Sequence, residues 1–442
     1  MTPKVNILEY ESKKNCIAIS PSLLPDKKHR KKAYLRFGIK AVEVDVITSA
    51  EISNSNILIS KNIINELCLP LLQKYELKSD GVEIILGPYI GILACKEQQT
   101  LDSIVNNLSN YLYDYEDLGG AFVAFSSEGI DITNEVINGY MFNPVTLKWD
   151  AGVYTYPSCI FRRSGLSNIQ RNHLHSKIGD KIFNNFIFDK WEMHEWLEKS
   201  PKIKNFLPET IKYKHPSDIT WFLDHFQTAY IKPISGSQGF GISRTYLDEG
   251  NYIIKLNDKE NNENAVQIFT DKKEFHNFLK SKLKANRYLI QQSIDVLTLE
   301  DKMIDFRVLL VKDYYGQWKD MGIIAKYGVK GNIVSNISSG GYASTGEDAF
   351  RNVCGLNDDE IFTLRNRISD LCILAAQTME DYGIHCANFG IDIAIDNNLN
   401  IWIIEINNKD PNHTIAIDAG AKQIFYQTKK MNMLYAKRLA GF

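Results

Sequence analysis

The sequence predicts a mixed protein, α/β or α+β, built from two or three tightly joined units. Apolar runs of strand length (AYIKPI, FRVLLV, NIWIIEI) alternate with longer segments whose apolar residues recur at helical spacing. The length of 442 residues exceeds what one domain of roughly 100–200 residues accounts for. Composition narrows the class. Hydrophobic residues make up 44% and charged residues 24%, the balance of a globular chain able to bury a core and not that of a disordered one. Lys plus Arg number 51 against 53 Asp plus Glu, a net charge of −2, which argues against a dedicated nucleic-acid binder with its basic excess. No stretch approaches the ~20 apolar residues that span a bilayer. The longest, Ile84 to Cys95, is short and broken by Gly87-Pro88. The opening MTPKVNILEYESKK lacks the apolar core of a secretory signal, so a cytoplasmic location is expected. Cys16, Cys68, Cys95, Cys159, Cys354, Cys372 and Cys386 are odd in number and form no C-x-x-C pair. They read as reduced packing thiols and not as a disulfide framework or a zinc site.

Taken in order, residues 1–80 mix short apolar runs (Cys16 to Ile19, Val42 to Ile47, Ile57 to Ile59) with polar turns, a strand-rich region. Ile63 to Leu69 adds a short helix that Pro70 ends. Residues 81–165 read as a small β-α-β unit. Val82 to Leu86 would open it, and Leu101, Ile104, Val105, Leu108 and Leu112 would form one stripe of a helix. The run AFVAF after Gly119-Gly120 would return as a buried strand. Asn168 to Lys181 is polar and basic, the character of a connection or a mobile segment. Asp189 is placed to cap a helix, KWEMHEWLEK. Further helices are expected around Phe275, Phe278, Leu279 and Leu283, and from Ile361 through Ile368 to Met379. The polar run Asn257 to Asn264 separates two strand-like pieces as a hairpin tip.

The chemistry-bearing residues cluster in the second half. In GIDIAIDNNLNIWIIEINNKD two apolar runs flank the turn Asp396 to Asn400, so they should pair as a hairpin. Glu405 and Asn407, two apart on a strand, point the same way, and pairing brings Asp392 beside them. Oxygen ligands with open positions are what a nucleotide-bound Mg²⁺ requires. In YIKPISGSQGFGI, Lys232 ends a strand and a loop follows with Ser235, Gly236, Ser237, Gln238, Gly239 and Gly241, in which backbone amides can approach an anion. The order matches neither a Walker loop nor a dinucleotide fingerprint. Lys190, in the first turn of its helix, is a second phosphate lysine. Gln291-Gln292 followed by Ser293-Ile294 has the form of a hinge whose backbone reads an adenine edge. Asp305 and Arg307 share a strand face, with Arg307 able to clamp a phosphoryl group or a carboxylate. Lys326, Asn336 and Gly340-Gly341 lie in a small-residue stretch where a substrate could approach the backbone. His173, His175 and His413 read as ordinary loop histidines.

The order of these pieces resembles the ATP-grasp superfamily. The D-x-R and N…GG elements are similar to those of glutathione synthetase and the ribosomal-protein glutamate ligases. LGPYIGIL at 86–93, AFSSEGID at 124–131, INGYMF at 137–142, FDKW at 188–191 and LPET at 207–210 look like the endospore-coat-associated YheC/YheD type, over residues 35–435. The resemblance implies two α+β subdomains sandwiching ATP within residues 166–442, the first at about 166–295 and the second, metal-binding, at about 296–442. The 81–165 unit would be a pre-ATP-grasp domain. Lys190, Lys232, the Ser235 to Gly241 loop, the Gln291 to Ile294 hinge and Asp305 would bind the nucleotide. Asp392, Glu405 and Asn407 would hold Mg²⁺, with Mn²⁺ as an alternative. Arg307 and Lys326 would stabilise an acyl phosphate and the adduct formed from it, while Asn336, Gly340 and Gly341 hold the substrate carboxylate. Two departures stand out. Lys326 occupies a position that is commonly Arg, and Asp410-Pro411-Asn412 replaces the usual Pro-Gly turn after Asn407. The activity so implied is an ATP- and Mg²⁺-dependent carboxylate–amine ligase releasing ADP and phosphate, joining an amino acid to a peptide, protein or small amine. The alternatives are a non-catalytic spore-coat scaffold of the same fold and a phosphotransferase using the same site. No nucleic acid or membrane partner is expected.

Overall fold

Four β-sheets follow one another along the chain, and a helix near residue 430 ties three of them together. The computed structural model describes residues 2–24, 31–236, 240–257, 264–332 and 340–442. The first sheet is a closed barrel of seven strands: Lys4–Tyr10, Cys16–Ile19, Lys32–Phe37, Lys40–Thr48, Asn56–Ser60, Tyr75–Ser79 and Glu83–Gly87. Alternation turns Val5, Ile7, Leu35 and Phe37 inward, and closure removes the exposed edges of an open sheet. The Glu83–Gly87 strand runs parallel to Lys32–Phe37 and antiparallel to Tyr75–Ser79. The Val82 to Leu86 run therefore completes the barrel instead of opening the next unit, and the barrel passes the boundary expected at residue 80. Ile84 and Leu86 alternate into the barrel core, and Gly81, at φ 86°, marks only the turn between two neighbouring barrel strands.

The second sheet has the order Lys148–Thr155, Val136–Asn143, Ala121–Asp131, Tyr89–Cys95, Cys159–Arg162 and Ile182–Phe183. Tyr89–Cys95 and Ala121–Asp131 are parallel, the β-α-β crossover expected. Its apolar stripe is divided, however, between an α-helix, Gln98–Ile104, and 3₁₀ turns over Val105–Leu112. Asn106, Asn107, Ser109 and Asn110 carry short polar side chains that compete with the α-helical ladder. Leu101, Val105, Leu108 and Leu112 are buried all the same. A larger correction concerns Asn168–Ile178, which is a helix and not a connection. The Ser167 hydroxyl accepts from the Gln170 amide at 3.2 Å, and the Gln170 side chain accepts from the Ser167 amide at 3.1 Å, a capping box. Leu174 and Ile178, one turn apart, supply its only buried positions, too few to stand out from the polar sequence around them.

The third sheet runs Thr210–Lys212, Tyr288–Gln292, Thr228–Pro233, Ser243–Asp248, Asn251–Asn257, Asn264–Phe269. Helices Pro216–Phe226 and Lys272–Lys282 cover it, packing Phe222, Phe275 and Leu279 on Ile231, Ile254 and Ile290. Of the hairpin tip read at Asn257 to Asn264, the two end residues pair with each other, and residues 258–263 lie outside the described residues. The fourth sheet runs Tyr342–Thr345, Trp318–Tyr327, Lys302–Lys312, Asn388–Ile395, Ile401–Asn407. On it the long helix Asp358–Glu380 buries Ile368, Leu371 and Met379 against Phe306, Val308 and Ile391, with Met193 and Leu197 of helix Lys190–Glu198 in the same core. Asp189 caps that second helix, accepting from the amides of Trp191 and Glu192. Among the described residues no helix is long and apolar enough to cross a membrane.

Helix Lys422–Leu439 touches three of the four sheets. Phe425 packs with Leu309 and Ile324 of the fourth, and Met433 and Ala436 with Ile92 and Phe161 of the second. Lys437 forms an ion pair with Glu76 of the barrel, both side chains only 9% exposed, and donates to the Leu118 carbonyl at 2.9 Å. Removing one partner of such a buried pair strands the other charge at a cost of about 3 kcal/mol or more. Glu76→Leu should therefore lower the unfolding free energy read from a urea titration by an amount of that order, while Glu76→Gln, which keeps an acceptor, should lose less. Equal midpoints for Glu76→Leu and the parent protein would show that the pair contributes nothing.

Candidate active site

The Asn388–Ile395 and Ile401–Asn407 strands pair antiparallel around a turn that Asp396 closes, its carboxylate accepting from the amides of Asn398 and Asn400 at 2.9 Å. Asp392 lies opposite Glu405 and Gly390 opposite Asn407. The Asn407 side-chain amide donates to Asp392 at 3.1 Å. Immediately after Asp392 the register shifts so that Ile393 faces Ile403, leaving Ile404 as the extra residue of a bulge, a device that re-aims neighbouring side chains.

Four cations converge on this hairpin. Arg307, opposite Asp392 in the next strand, grips it through Nε at 2.6 Å and Nη2 at 2.7 Å, a fork geometry available to Arg alone. Lys326 bridges two carboxylates, 2.7 Å from Asp305 and 3.1 Å from Asp392. Burial, at 13% side-chain exposure, works against ionisation of Asp392, yet Arg307 and Lys326 overcome it and hold the carboxyl well below the usual carboxylate range. Burial likewise works against the Lys326 ammonium, and Asp305 and Asp392 more than offset it, so its pKa is raised. Lys190 is 2.9 Å from Glu405 and donates to the Gly236 carbonyl at 2.9 Å. Lys232 donates to the Gln291 side-chain oxygen at 2.5 Å. With no carboxylate in contact among the described residues, burial pushes its ammonium down to about 8, against the pull of the Glu405 charge.

The site residues expected from the sequence fall into five groups. Lys190, Lys232, Asp305, Arg307, Lys326, Asp392, Glu405 and Asn407 come together in one cleft between the third and fourth sheets. Ser235, Gly236 and Gly241 line the exposed loop after Thr228–Pro233, where Gly241 at φ 72° approaches Pro233. Gly340 and Gly341 lead into the edge strand Tyr342–Thr345, in which Ala343 faces Lys326. Ser237, Gln238, Gly239 and Asn336 lie outside the described residues. The hinge differs from its reading in one respect. Gln291 is buried within the Tyr288–Gln292 strand, and its side chain joins Lys232 to Thr210, 3.1 Å away. The Gln292 amide donates to the Glu209 carbonyl at 2.8 Å, and the Ile294 carbonyl accepts from the Val296 amide at 3.0 Å, so the strand pairing stops short of Ser293. Sequence reasoning missed Met193, His194, Thr210, Leu289 and Ile404, which line a recess with Lys190, Lys232, Gln291 and Glu405. Of these only Thr210 falls in a quoted motif, LPET, to which no chemistry was assigned. Only the helical spacing of Met193 and His194 after Lys190 hinted at a shared neighbourhood.

Asp392, Glu405 and Asn407 present oxygen donors of the type Mg²⁺ selects. Among the described residues no set of three or more His, Cys, Asp or Glu forms a metal cage, so phosphate oxygens would have to complete the coordination. The donor set fits an ion that arrives with a nucleotide. Without it, Lys190, Arg307 and Lys326 neutralise the same carboxylates.

Two sheets facing across a cleft, one bearing a phosphate-type lysine and glycine loop, the other an Asp–Glu–Asn hairpin, define an ATP-grasp protein. Residues 179–439 match the YheC/D-like ATP-grasp model, and the chain belongs to that family. It is 24% identical over 422 residues to the endospore coat-associated protein YheD of Bacillus subtilis (strain 168), covering 91% of this chain and 90% of that protein. To YheC of the same organism, also described as endospore coat-associated, it is 25% identical over 225 residues, 50% of this chain and 59% of that one. Among solved structures it is similar to the ATP-grasp ligase PsnB complexed with a minimal precursor, at 12% identity and a TM-score of 0.46, covering 79% of this chain and 100% of that one.

Lys232, half-buried in the cleft, gives a test that separates binding from stability. Lys232→Met should leave the ligand-free melting temperature unchanged or higher, because a costly half-buried ammonium is removed, and should abolish the rise produced by Mg-ADP. In the parent protein Mg-ADP affinity should fall as pH rises through about 8, where the free ammonium loses its proton. Retained Mg-ADP stabilisation in Lys232→Met would remove Lys232 from the phosphate site.

Proposed function

We propose that the protein is an ATP- and Mg²⁺-dependent ligase that activates a carboxylate as an acyl phosphate and transfers it to an amine, releasing ADP and phosphate. The observation that carries this reading is the meeting of Lys190, Lys232, Arg307 and Lys326 with Asp392, Glu405 and Asn407 in one cleft. Phosphoryl transfer needs alignment and charge neutralisation more than a covalent catalyst, and this cleft supplies both. Bound Mg²⁺ would draw charge from the transferring phosphoryl group. Asp392 and Glu405 would hold that ion, with Asn407 beside them. Lys190 would then exchange Glu405 for a phosphate oxygen, and Lys232, already fixed by Gln291, would hold a second. Arg307 would keep Asp392 in place with one edge of its fork and present the remaining N–H groups to the acyl phosphate. Lys326 would steady the oxyanion formed when the amine attacks, as a point charge where Arg would give a fork.

The substrates would be an amino acid or other carboxylate and an amine, whether of a peptide, a protein or a small molecule. The names of the relatives favour a place at the spore coat, and with it the second reading, a coat component that retains the fold without catalysis. Calorimetry with Mg-ATP separates the two, since a scaffold without a working cleft would bind none. For the ligase, purified protein with Mg-ATP, pooled amino acids and peptides should release ADP and phosphate. Glu405→Gln should cut that release by a factor on the order of 10² or more, the scale of losing one preorganised electrostatic group. AMP and pyrophosphate as products would exclude the acyl-phosphate route.

A further inference from the structure

A second buried polar cluster lies beside the hairpin, and the proposed chemistry makes no use of it. Asn388, Gly390 and Asp392 alternate along one strand and share a face. Asp392 belongs to the metal site. Gly390 is roofed so closely that a Cβ there would be 2.9 Å from Pro411 and 3.0 Å from Arg307. Asn388 is bonded to His413 Nε2 at 3.0 Å. Pro411 and His413 both come from the loop that departs from the usual Pro-Gly turn. Facing that loop, Arg163 holds Asp410 through two bonds of 2.9 and 2.6 Å. Lys429, from the helix near the end of the chain, donates to the Tyr111 hydroxyl at 2.8 Å and lies 4.1 Å from the centre of that ring. Arg163 lies over the same ring at 5.4 Å.

The buried donors outnumber the acceptors. Two basic side chains are buried here, and the one carboxylate among their described partners, Asp410, is taken by Arg163. Lys429 is 9% exposed, and its contacts among the described residues are a neutral phenol and aromatic faces, so burial and the Arg163 charge push its ammonium down to about 7. Arg163 Nη1, Asn388 Nδ2 and His413 Nδ1 are buried without a partner. Whichever tautomer His413 adopts, one N–H of the Asn388–His413 pair lacks an acceptor. Burial, with the charges of Lys429, Arg163 and Arg307, holds the pKa of His413 well down, so the imidazole stays neutral and adds a donor or an acceptor to the cluster but no charge. Buried donors left bare are costly and uncommon, and a buried ammonium without an anion more so. Asp410, 32% exposed, stands at the outer edge of the cluster.

We infer that Arg163, Lys429 and the Asn388–His413 pair bind a second carboxylate of the substrate, so that the ligase acts on a peptide-sized compound with at least two carboxylates. The inference rests on the ligase reading for the role of the first carboxylate, the one activated beside Asp392. Four residues of strand separate Asn388 from Asp392, about 13 Å. A single amino acid is too short for that span, whereas two or three extended residues approach it.

The test uses the full chain without nucleotide, with triglutamate as the probe and acetate at matched ionic strength as the control. Triglutamate should raise the melting temperature and give a measurable binding isotherm, and acetate should do neither. Lys429→Met should weaken triglutamate binding at least tenfold while melting no lower than the parent. Asp410→Asn, which removes the competing carboxylate, should bind triglutamate more tightly, a change of sign that a purely structural role does not produce. Equal shifts from acetate and triglutamate, or undiminished triglutamate binding by Lys429→Met, would overturn the inference. The ligase reading fails separately: triglutamate binding without any ADP release from Mg-ATP would keep this site and remove the ligase. ADP release whose carboxylate saturation is the same in parent and Lys429→Met would keep the ligase and remove this site.

Discussion

The grip of Arg307 on Asp392 is the contact on which the site depends. Asp392, with 13% of its side chain exposed, lies in the strand beside the edge of the fourth sheet, and a carboxylate there stays ionised because Arg307 and Lys326 surround it. Arg307 is fixed by its own register in the adjoining strand and by the closeness of Gly390, where a side chain would displace it. Taking out any one of these parts would leave a buried charge without a partner, which costs more than the net worth of the pair. The network is therefore tightly interdependent even before a ligand arrives.

The same network bears on the proposed metal site. Were Asp392 and Glu405 to hold an ion, Lys190 and Lys326 would give up the carboxylates they pair with, and one set of positive charges would be exchanged for another. Little reorganisation of the backbone is then required, because the lysines are long and rotatable while Asp392 and Glu405 are held by strand register. Preorganised charge of this kind is the largest contribution a protein makes to phosphoryl transfer.

The hairpin was legible because its signals are local: an alternating pattern, a polar turn, and two acids whose spacing pairing brings opposite each other. The cap of the Lys190–Glu198 helix was legible for the same reason. What escaped was non-local or carried by few residues. The closure of the barrel by Glu83–Gly87 depends on pairing with Lys32–Phe37, some fifty residues away, and nothing in the run IILG reveals its partner. The Asn168–Ile178 helix rests on a capping box and two apolar residues, a faint trace in a polar stretch. Gln291 was read through its backbone, whereas its side chain orients Lys232. Arg163 and Asp410, 247 positions apart, show no complementarity until the fold brings them together, although the unusual Asp-Pro-Asn turn marked one end of that contact.

The helix Lys422–Leu439 carries a consequence for how the chain is assembled. Its Lys437 meets Glu76 across 361 positions of sequence, and its apolar face is shared between the second and fourth sheets. Contacts of such separation form late, because the entropy of closing so long a loop precedes any gain from the contact. During synthesis the barrel and second sheet would wait with the Glu76 carboxylate and the surface around Phe161 uncovered until this last helix arrives. Chaperones and proteases therefore have a defined window in which to find the immature chain, and the moment at which that surface disappears is also the moment at which Lys429 takes its place beside the candidate site.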